Sequence, residues 1–485
     1  MASSQRERED KYDVGLQFVL PDLSGLVPEG GRIEDRTVNL RSDYFDTAER
    51  DLLGQHLTLR RRSGETDEGW HLKVPADKAR TEIRLPLTGE STVPDELAAL
   101  VSGVALGKPL RTVATISTVR HTRRLYTSDN RLMAEVADDA VHSTVVGDGA
   151  VIGEWREVEV ELGDAGNESL LTAIGQRLER LGATPSPYPS KLSRALSAEP
   201  PAAGGGEERT AASLLTEYLE AQAQAIVAGD VWLRRALDPI HSTRVGIRRF
   251  RSTLRVFATM FEPEAAAWFD TELAWYAGIL GEVRDRQVQR ERFAHALAEL
   301  PDELVMGPVA ARIETDLSAE QRRHLDEVMR TIDTDRYRTL LAALARWRTT
   351  PPLTDEAAGG RKAILARVRR AERKSATRVL SAAAGTDDEA LHRARKAAKR
   401  ARYAVELAAP LLGKKVAKKK TAKYKEMQEV LGEHQDGIVA MRTLRELGAR
   451  AGTTPGENGF TFGVLYGLEL EAAHKARADA ARLVT

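Results

Sequence analysis

Three short strings of charge alternate so that like groups stand side by side. Glu7, Glu9 and Lys11 are two apart, as are Arg60 and Arg62, and Glu157, Glu159 and Glu161. On an extended strand, residues two apart share a face. In Glu157–Leu162 the intervening Val158, Val160 and Leu162 are apolar, so one face is charged and the other packs. In an ordinary sandwich the charged face is the wet one. Charges of both signs on several strands also fit a closed sheet whose outer wall packs on helices and whose lumen is charged. Carboxylates spaced this way can chelate a hard divalent cation through oxygen. Arginines and lysines opposite them can grip phosphate oxygens. Together they describe a site for a metal–polyphosphate substrate.

A second constellation is a repeat. His241–Arg251, HSTRVGIRRFR, and His392–Arg402, HRARKAAKRAR, align His241 with His392, Arg244 with Arg395, Arg248 with Lys399, Arg249 with Arg400 and Arg251 with Arg402. Downstream, LGEVRD ending at Asp285 aligns with LGEHQD ending at Asp436 in the same register. A register held over that distance indicates a duplicated helical unit, two bundles related by a pseudo-twofold axis. At about 100° per residue, His241, Arg244, Arg248, Arg251 and Arg255 fall within a stripe roughly 80° wide. Ile247, Phe250, Leu254 and Phe257 lie on the far side, so one face is basic and the other packs. The repeat keeps His392, Arg395, Lys399 and Arg402 on one stripe but has Glu406 in the place of Arg255. Such cations repel one another unless an anion lies before them or acids of other helices pair with them. Each histidine is either a phosphate donor or a structural hydrogen-bonding group. The run Gly413–Lys425 has no basic counterpart near 262–274, and either extends the anion surface or is a solvated helix.

The elements that must carry these residues divide the chain. Eight strands are predicted before residue 198, at about 7–20, 36–47, 55–63, 69–75, 79–87, 112–127, 131–142 and 153–163, with helices only near 93–101 and 167–181. That pattern predicts a mostly antiparallel, closed or nearly closed sheet. The segment 198–207, rich in proline and glycine, reads as a linker between a domain at 1–197 and an all-helical one at 208–485. The net charge of zero conceals an imbalance: residues 1–200 hold 25 basic and 33 acidic side chains, residues 201–485 hold 47 and 39. Two modules with different electrostatic tasks are expected. With no cysteine in 485 residues, disulfides, thiolate metal sites and cysteine nucleophiles are excluded. No apolar run reaches the ~18 residues of a membrane span. MASSQREREDKYD lacks the apolar stretch of a secretory signal. A cytoplasmic location is therefore expected, with association with polyphosphate granules as a further option.

The strand residues resemble a known family. Glu7, Glu9 and Lys11 are similar to the ExExK signature of the CYTH, or triphosphate tunnel metalloenzyme, family. The likeness continues through YFDT (44–47), LTLRRR (57–62), WHLK (70–73), RTE (80–82), AEVADD (134–139), EVEVEL (157–162) and SKLSR (190–194). The resemblance implies an eight-stranded antiparallel tunnel that hydrolyses a linear triphosphate with Mg2+ or Mn2+. It implies Arg60, Arg62, Lys73, Arg80, Arg120 and Lys191 as phosphate ligands, with Lys11 beside them. Glu7, Glu9, Glu82, Asp138, Glu157, Glu159 and Glu161 are implied as metal ligands or water-orienting groups, with Glu7, Glu9, Lys11, Lys73 and Glu159 carrying the catalysis. Of Arg120 and Arg123, parity admits only one to the lumen, and Arg120 is preferred.

The helical half resembles the CHAD family, whose conserved-histidine helices are often fused to CYTH domains. This implies two four-helix bundles whose basic faces bind inorganic polyphosphate through His241, Arg244, Arg248, Arg251, Arg255, His392, Arg395, Lys396, Lys399 and Arg402. Asp285 and Asp436 are expected to orient helices or pair with arginines. Three other readings compete: nucleic-acid binding by the basic half, a non-catalytic polyphosphate scaffold, and a CYTH enzyme for an organic triphosphate. The stripe carries no aromatic for stacking bases, so inorganic triphosphate and polyphosphate are the expected partners, rather than nucleic acid or membrane. No P-loop, Rossmann fingerprint or HExxH motif is present. His56, His71, His121 and His142 read as structural.

Overall fold

A computed structural model of the chain describes residues 3–482 apart from 65, 66, 77, 78, 88, 90, 147–150, 198–209, 384 and 386. The proposed linker at 198–207 lies outside the described residues. The chain divides into two compact units, Met1–Glu207 with Asp230–Ala236, and Glu208–Gly229 with Leu237–Thr485. Among the described residues no helix is long and apolar enough to cross a membrane.

The first unit is built on one antiparallel sheet. Its strands are β1 (Ser3–Glu7), β2 (Glu9–Val14), β3 (Arg32–Asp46), β4 (Thr58–Gly64), β5 (Gly69–Ala76), β6 (Ala79–Leu85), β7 (Arg111–Tyr126), β8 (Leu132–Val145), β9 (Val151–Leu162) and β10 (Thr184–Pro185). The order is β1-β6-β5-β4-β3-β7-β8-β9-β2-β10. Nine strands of five or more residues and the two-residue β10 thus replace the eight expected. The reason lies at Arg8. The segment anticipated as one strand breaks there, so that β1 pairs with β6 and β2 with β9. β1 and β2 are joined through Arg8 yet stand near opposite ends of the order, so the sheet curls round on itself into a tunnel. Four short helices accompany it: α1 (Asp51–Gly54), α2 (Asp95–Val101), α3 (Glu168–Arg180) and α4 (Lys191–Leu196).

Alternation sets inside against outside. Val158 and Val160 of β9, with Ala134 and Val136 of β8, pack against Leu170, Ile174 and Leu178 of α3. Their neighbours in sequence therefore point into the lumen. Near α4, Leu192 is buried with Val141, Val145 and Trp155. Ser190 caps that helix, accepting from Ser193 N at 3.0 Å while Ser193 Oγ lies 3.1 Å from Ser190 N. This reciprocal cap fixes Lys191 as the first helical residue.

The second unit is helical: α5 (Ala211–Arg234), α6 (Ile240–Val256), α7 (Pro263–Ala298), α8 (Val309–Thr331), α9 (Asp335–Thr349), α10 (Arg361–Ala383), α11 (Asp388–Leu407), α12 (Ala409–Leu412), α13 (Lys414–Ala451) and α14 (Phe460–Arg482). The repeat seen in sequence is structural. α7 and α13 begin in the same register of the repeat, as do α8 and α14, and α6 and α11 overlap in it. α9 stands between the two copies of the repeat. It packs Trp347 flat on Phe269 of α7, with ring centroids 4.6 Å apart. The α6 and α11 faces opposite the arginines supply core: Ile247, Phe250 and Leu254 are buried, as are Ala394, Ala398, Ala401 and Val405.

Candidate active site and anion-binding faces

Inside the tunnel, side chains of both signs converge on a narrow cavity of about 70 Å³. Its lining includes Glu9 and Lys11 of β2, Arg60 and Arg62 of β4, Lys73 of β5, Glu82 of β6, Arg120 of β7, Glu159 and Glu161 of β9, and Lys191 of α4. All ten were singled out from sequence. Glu159 is the hub, taking Lys11 Nζ at 2.6 Å, Arg120 Nη2 at 2.7 Å and Lys191 Nζ at 2.8 Å. Lys191 also reaches Asp139 at 2.8 Å and Glu157 at 2.7 Å. Glu82, fully buried, lies 3.4 Å from Arg60, 4.0 Å from Lys73 and 2.9 Å from His71 Nδ1.

Burial works against the charges of Glu159, Glu82, Lys191 and Arg62, and the neighbours decide the outcome. Burial would raise the Glu159 carboxyl, but Lys11, Lys191 and Arg120 hold it well below the usual carboxylate range. Glu82 is likewise held low against burial by the His71 hydrogen bond, Lys73 and Arg60. Burial would lower Lys191, but Asp139, Glu157 and Glu159 carry it upward. Arg62 differs. Burial, then Arg60 and Arg120, pushes it down to about 10, with Asp67 at 2.7 Å only partly offsetting them. The lumen therefore has a crowded cationic side as well as a carboxylate side.

One expected metal ligand is misplaced. Asp138 lies on the outer face of β8 and is gripped by Arg156 at 2.6 Å and 2.8 Å. Its neighbour Asp139 points inward, because β8 places Ala134 and Val136 in the outer core and Asp138 shares their parity. Asp139, Glu157 and Glu159 bring carboxylate oxygens within 4.8 Å of one another. That hard-oxygen donor set can hold a divalent cation. Between the two arginines left open, Arg120 faces the lumen, while Arg123 faces outward to Asp35 at 2.9 Å. The Glu7 and Arg80 side chains lie outside the described ones. Their backbones pair across β1 and β6.

Sequence reasoning missed Asp67, Arg84 and His71. Asp67 sits in the turn between β4 and β5, where no alternation marks its direction. Arg84 was readable, being two beyond Glu82 on β6, and it pairs with Asp67 at 2.8 Å. His71 was taken as structural. It is buried beside Glu82, and burial, then the Arg60 charge against the Glu82 bond, lowers its pKa. A wider cavity of about 380 Å³ continues from the narrow one, sharing Arg62, Asp67, Arg84, Arg120 and Glu161 and adding Arg36, Arg124, Glu135, Val38, Leu40, Leu132 and Leu162.

In the helical unit the repeated motifs acquire a mechanical meaning. A Cβ on Gly281 would stand 2.4 Å from Arg244 Nη1, and one on Gly432 3.0 Å from Arg395 Nη2. One turn further on, Asp285 lies 3.8 Å from Arg244, and Asp436 lies 3.4 Å from Arg395. The glycine thus admits the guanidinium against the helix and the aspartate, four residues later on the same face, orients it. This is the expected arginine-pairing role of both aspartates. Asp270 takes Arg251 at 2.9 Å and Arg255 at 2.7 Å, and Glu406 takes Arg402 at 2.8 Å. Between these pairs stand Arg248, whose buried Nε has no hydrogen-bond partner among the described residues, and Lys399. Burial, then Arg395 and Arg248, pushes Lys399 down to about 7. The helices that carry the two stripes, α6 and α11, are in contact, with Arg249 donating to Glu406 at 3.0 Å. His241 and Lys396 are exposed, and His392 is half-buried. Burial and neighbouring cations lower both histidines.

Comparison with known proteins fits this division. The CYTH domain family model matches residues 24–195 and the CHAD domain family model residues 217–445. An uncharacterized protein of Mycobacterium tuberculosis strain H37Rv is 33% identical over 497 residues, covering 97% of this chain and 94% of its own. Its counterpart in strain CDC 1551 aligns equally well. Among solved structures, PptA from Streptomyces chartreusis is similar over 57% of this chain and 99% of its own, at 20% identity and a TM-score of 0.48. The CHAD domain from the plant Ricinus communis is similar over 58% and 93%, at 24% identity and a TM-score of 0.45.

Proposed function

Because the chain belongs to the CYTH and CHAD domain families, we propose that its tunnel hydrolyses inorganic triphosphate with Mg2+ or Mn2+, and that its helical unit binds inorganic polyphosphate. The observation that carries the first half is the sorting of charge within the tunnel. Arg60, Arg62, Lys73 and Arg120 stand where they can neutralise a substrate of about four negative charges, while Asp139, Glu157 and Glu159 offer oxygens to a cation. A bound divalent ion there would screen the phosphate oxygens and lower the pKa of a water. The protein's own groups do the rest. Lys191, shared among Asp139, Glu157 and Glu159, is placed to donate to a phosphate oxygen. Glu82, anchored by His71, orients Arg60 and Lys73. Glu9 and Glu161 flank the cavity and can accept a hydrogen bond from the attacking water. No side-chain nucleophile is required.

The wider cavity favours a second reading. Its apolar walls, Val38, Leu40, Leu132 and Leu162, would seat the organic part of an organic triphosphate. A substrate panel separates the two: phosphate release from tripolyphosphate, thiamine triphosphate and nucleoside triphosphates, with Mg2+ or Mn2+ and with EDTA. Preference for tripolyphosphate, lost with EDTA, is expected. No metal-dependent release from any substrate would leave a non-catalytic scaffold.

The second half rests on Arg248 and Lys399, cations held together on facing helices and flanked by paired arginines. A flexible polyanion offsets their repulsion. Competition between polyphosphate and single-stranded nucleic acid for the whole protein tests it, with polyphosphate expected to win.

A further inference from the structure

The internal repeat exposes an asymmetry at the contact between α6 and α11. Arg249 of α6 donates to Glu406 of α11 at 3.0 Å. The repeat register aligns Arg249 with Arg400 and Arg255 with Glu406. The twofold-related pair would therefore join Arg400 to an acid, and the chain has Arg255 there instead. Arg255 turns to Asp270, which also serves Arg251, so one carboxylate holds two guanidiniums. Among the described residues no carboxylate forms an ion pair with Arg400. α10 then adds Arg370, Lys374 and Arg378, spaced four apart on one stripe. Glu372, on a different stripe, is taken by Lys420 at 2.6 Å.

The crowding is felt by these groups. Burial, then Arg255 and Arg378, lowers the pKa of Arg400. Arg378, then burial and the charges of Arg400 and Arg370, lowers that of Lys374. α10 packs against both α11 and α6, so five cations from three packed helices repel one another. At the opposite end of the same contact, Glu406 resolves the equivalent conflict. A bound anion would resolve it here.

We infer that Arg400, Arg378, Lys374 and Arg370, with Arg255 at the end of the His241 stripe, form a second anion site on the helical unit, which takes a segment of an inorganic phosphate chain. It rests on the reading of this unit as a polyphosphate binder. Guanidiniums suit the chemistry because each can grip two non-bridging oxygens of a phosphoryl group at once.

The test is equilibrium binding of labelled long-chain inorganic polyphosphate to the full-length protein, for wild type, Arg400→Glu and Arg378→Glu, with thermal melting in the absence of anion. Arg400→Glu recreates opposite Arg255 the pair that Arg249 makes with Glu406. It should therefore melt at or above wild type while binding polyphosphate roughly tenfold more weakly. Arg378→Glu should weaken binding similarly, and decides the matter if Arg400→Glu does not fold. Wild-type affinity in the folded variants overturns this site and leaves the polyphosphate reading standing. A wild-type protein that binds no polyphosphate overturns both. Weakened binding of single-stranded DNA with unchanged polyphosphate binding would assign these cations to nucleic acid and also overturn the inference.

Discussion

The tunnel and the helical faces both gather cations, yet they handle them in opposite ways. In the tunnel nearly every cation touches a carboxylate, and Glu159 alone takes three of them. On the helices the carboxylates pair with Arg244, Arg251, Arg255, Arg395 and Arg402, while Arg248 and Lys399 have no ion pair among the described residues. The difference suits two tasks. A site that must hold both a metal and a phosphate chain needs buried charges of each sign, neutral as a set before the substrate arrives. A site that only binds a polyanion can leave its central cations unneutralised, provided that solvent reaches them and acids fix their neighbours.

The comparison breaks most sharply at Glu159. Glu159→Gln removes one negative charge from three cations and one donor oxygen from the acidic cluster. Metal-dependent triphosphate hydrolysis should fall by about 10³-fold, read as kcat under saturating metal. A variant with near wild-type kcat would deny the tunnel its assigned role. Leu192→Ala tests how α4 holds Lys191 in place. It empties a buried position between Val141 and Trp155, so stability should fall by ~2–4 kcal/mol in denaturant unfolding. The KM for triphosphate should rise as Lys191 loosens.

Gly281→Ala sharpens the helical side, because it should move stability and binding in opposite directions. Alanine is the better helix former by ~1 kcal/mol. Its methyl would displace the flexible Arg244 tip, so polyphosphate affinity should drop about tenfold while the melting temperature holds or rises. A parallel fall in both would mean that the glycine serves packing instead.

The smallest expected effect is on pH. Lys399 is positively charged below about 7 and loses its proton as pH rises through that value. The groups bearing on it include Arg395, Arg248 and Arg244, which disfavour its charge, and Asp436, which favours it. A bound polyanion favours the protonated form, so affinity should weaken a few-fold between pH 6 and 8 in wild type. Lys399→Arg should flatten that slope. An unchanged slope in the variant would assign the titration to another group.

Much of this was legible in the chain. The alternation in Glu157–Leu162 placed Glu157, Glu159 and Glu161 on the inner face, because its interleaved valines could only pack outward. The parity argument on β7 allowed one of Arg120 and Arg123 inside. It failed at Asp138 and Asp139, since two adjacent acids satisfy either register and only the packing of Val136 against α3 selects between them. It failed again at Arg8, where a break divides one run of alternating charge between two strands with different partners. Asp67 lies in a turn, where no periodicity shows where a side chain points.

The repeat shows the same boundary. Its spacing alone established a duplicated helical unit and paired Arg244 with Arg395 and Asp285 with Asp436. That Gly281 and Gly432 are the floors on which those arginines rest required the packed helices. So did the lone guanidinium of Arg400, which the repeat would have matched to an acid. Periodicity and repetition are properties of local backbone geometry, so they can be read from one strand or one helix at a time. Which acid meets which base depends on how distant segments close against each other, and that is settled only when the sheet shuts and the helices pack.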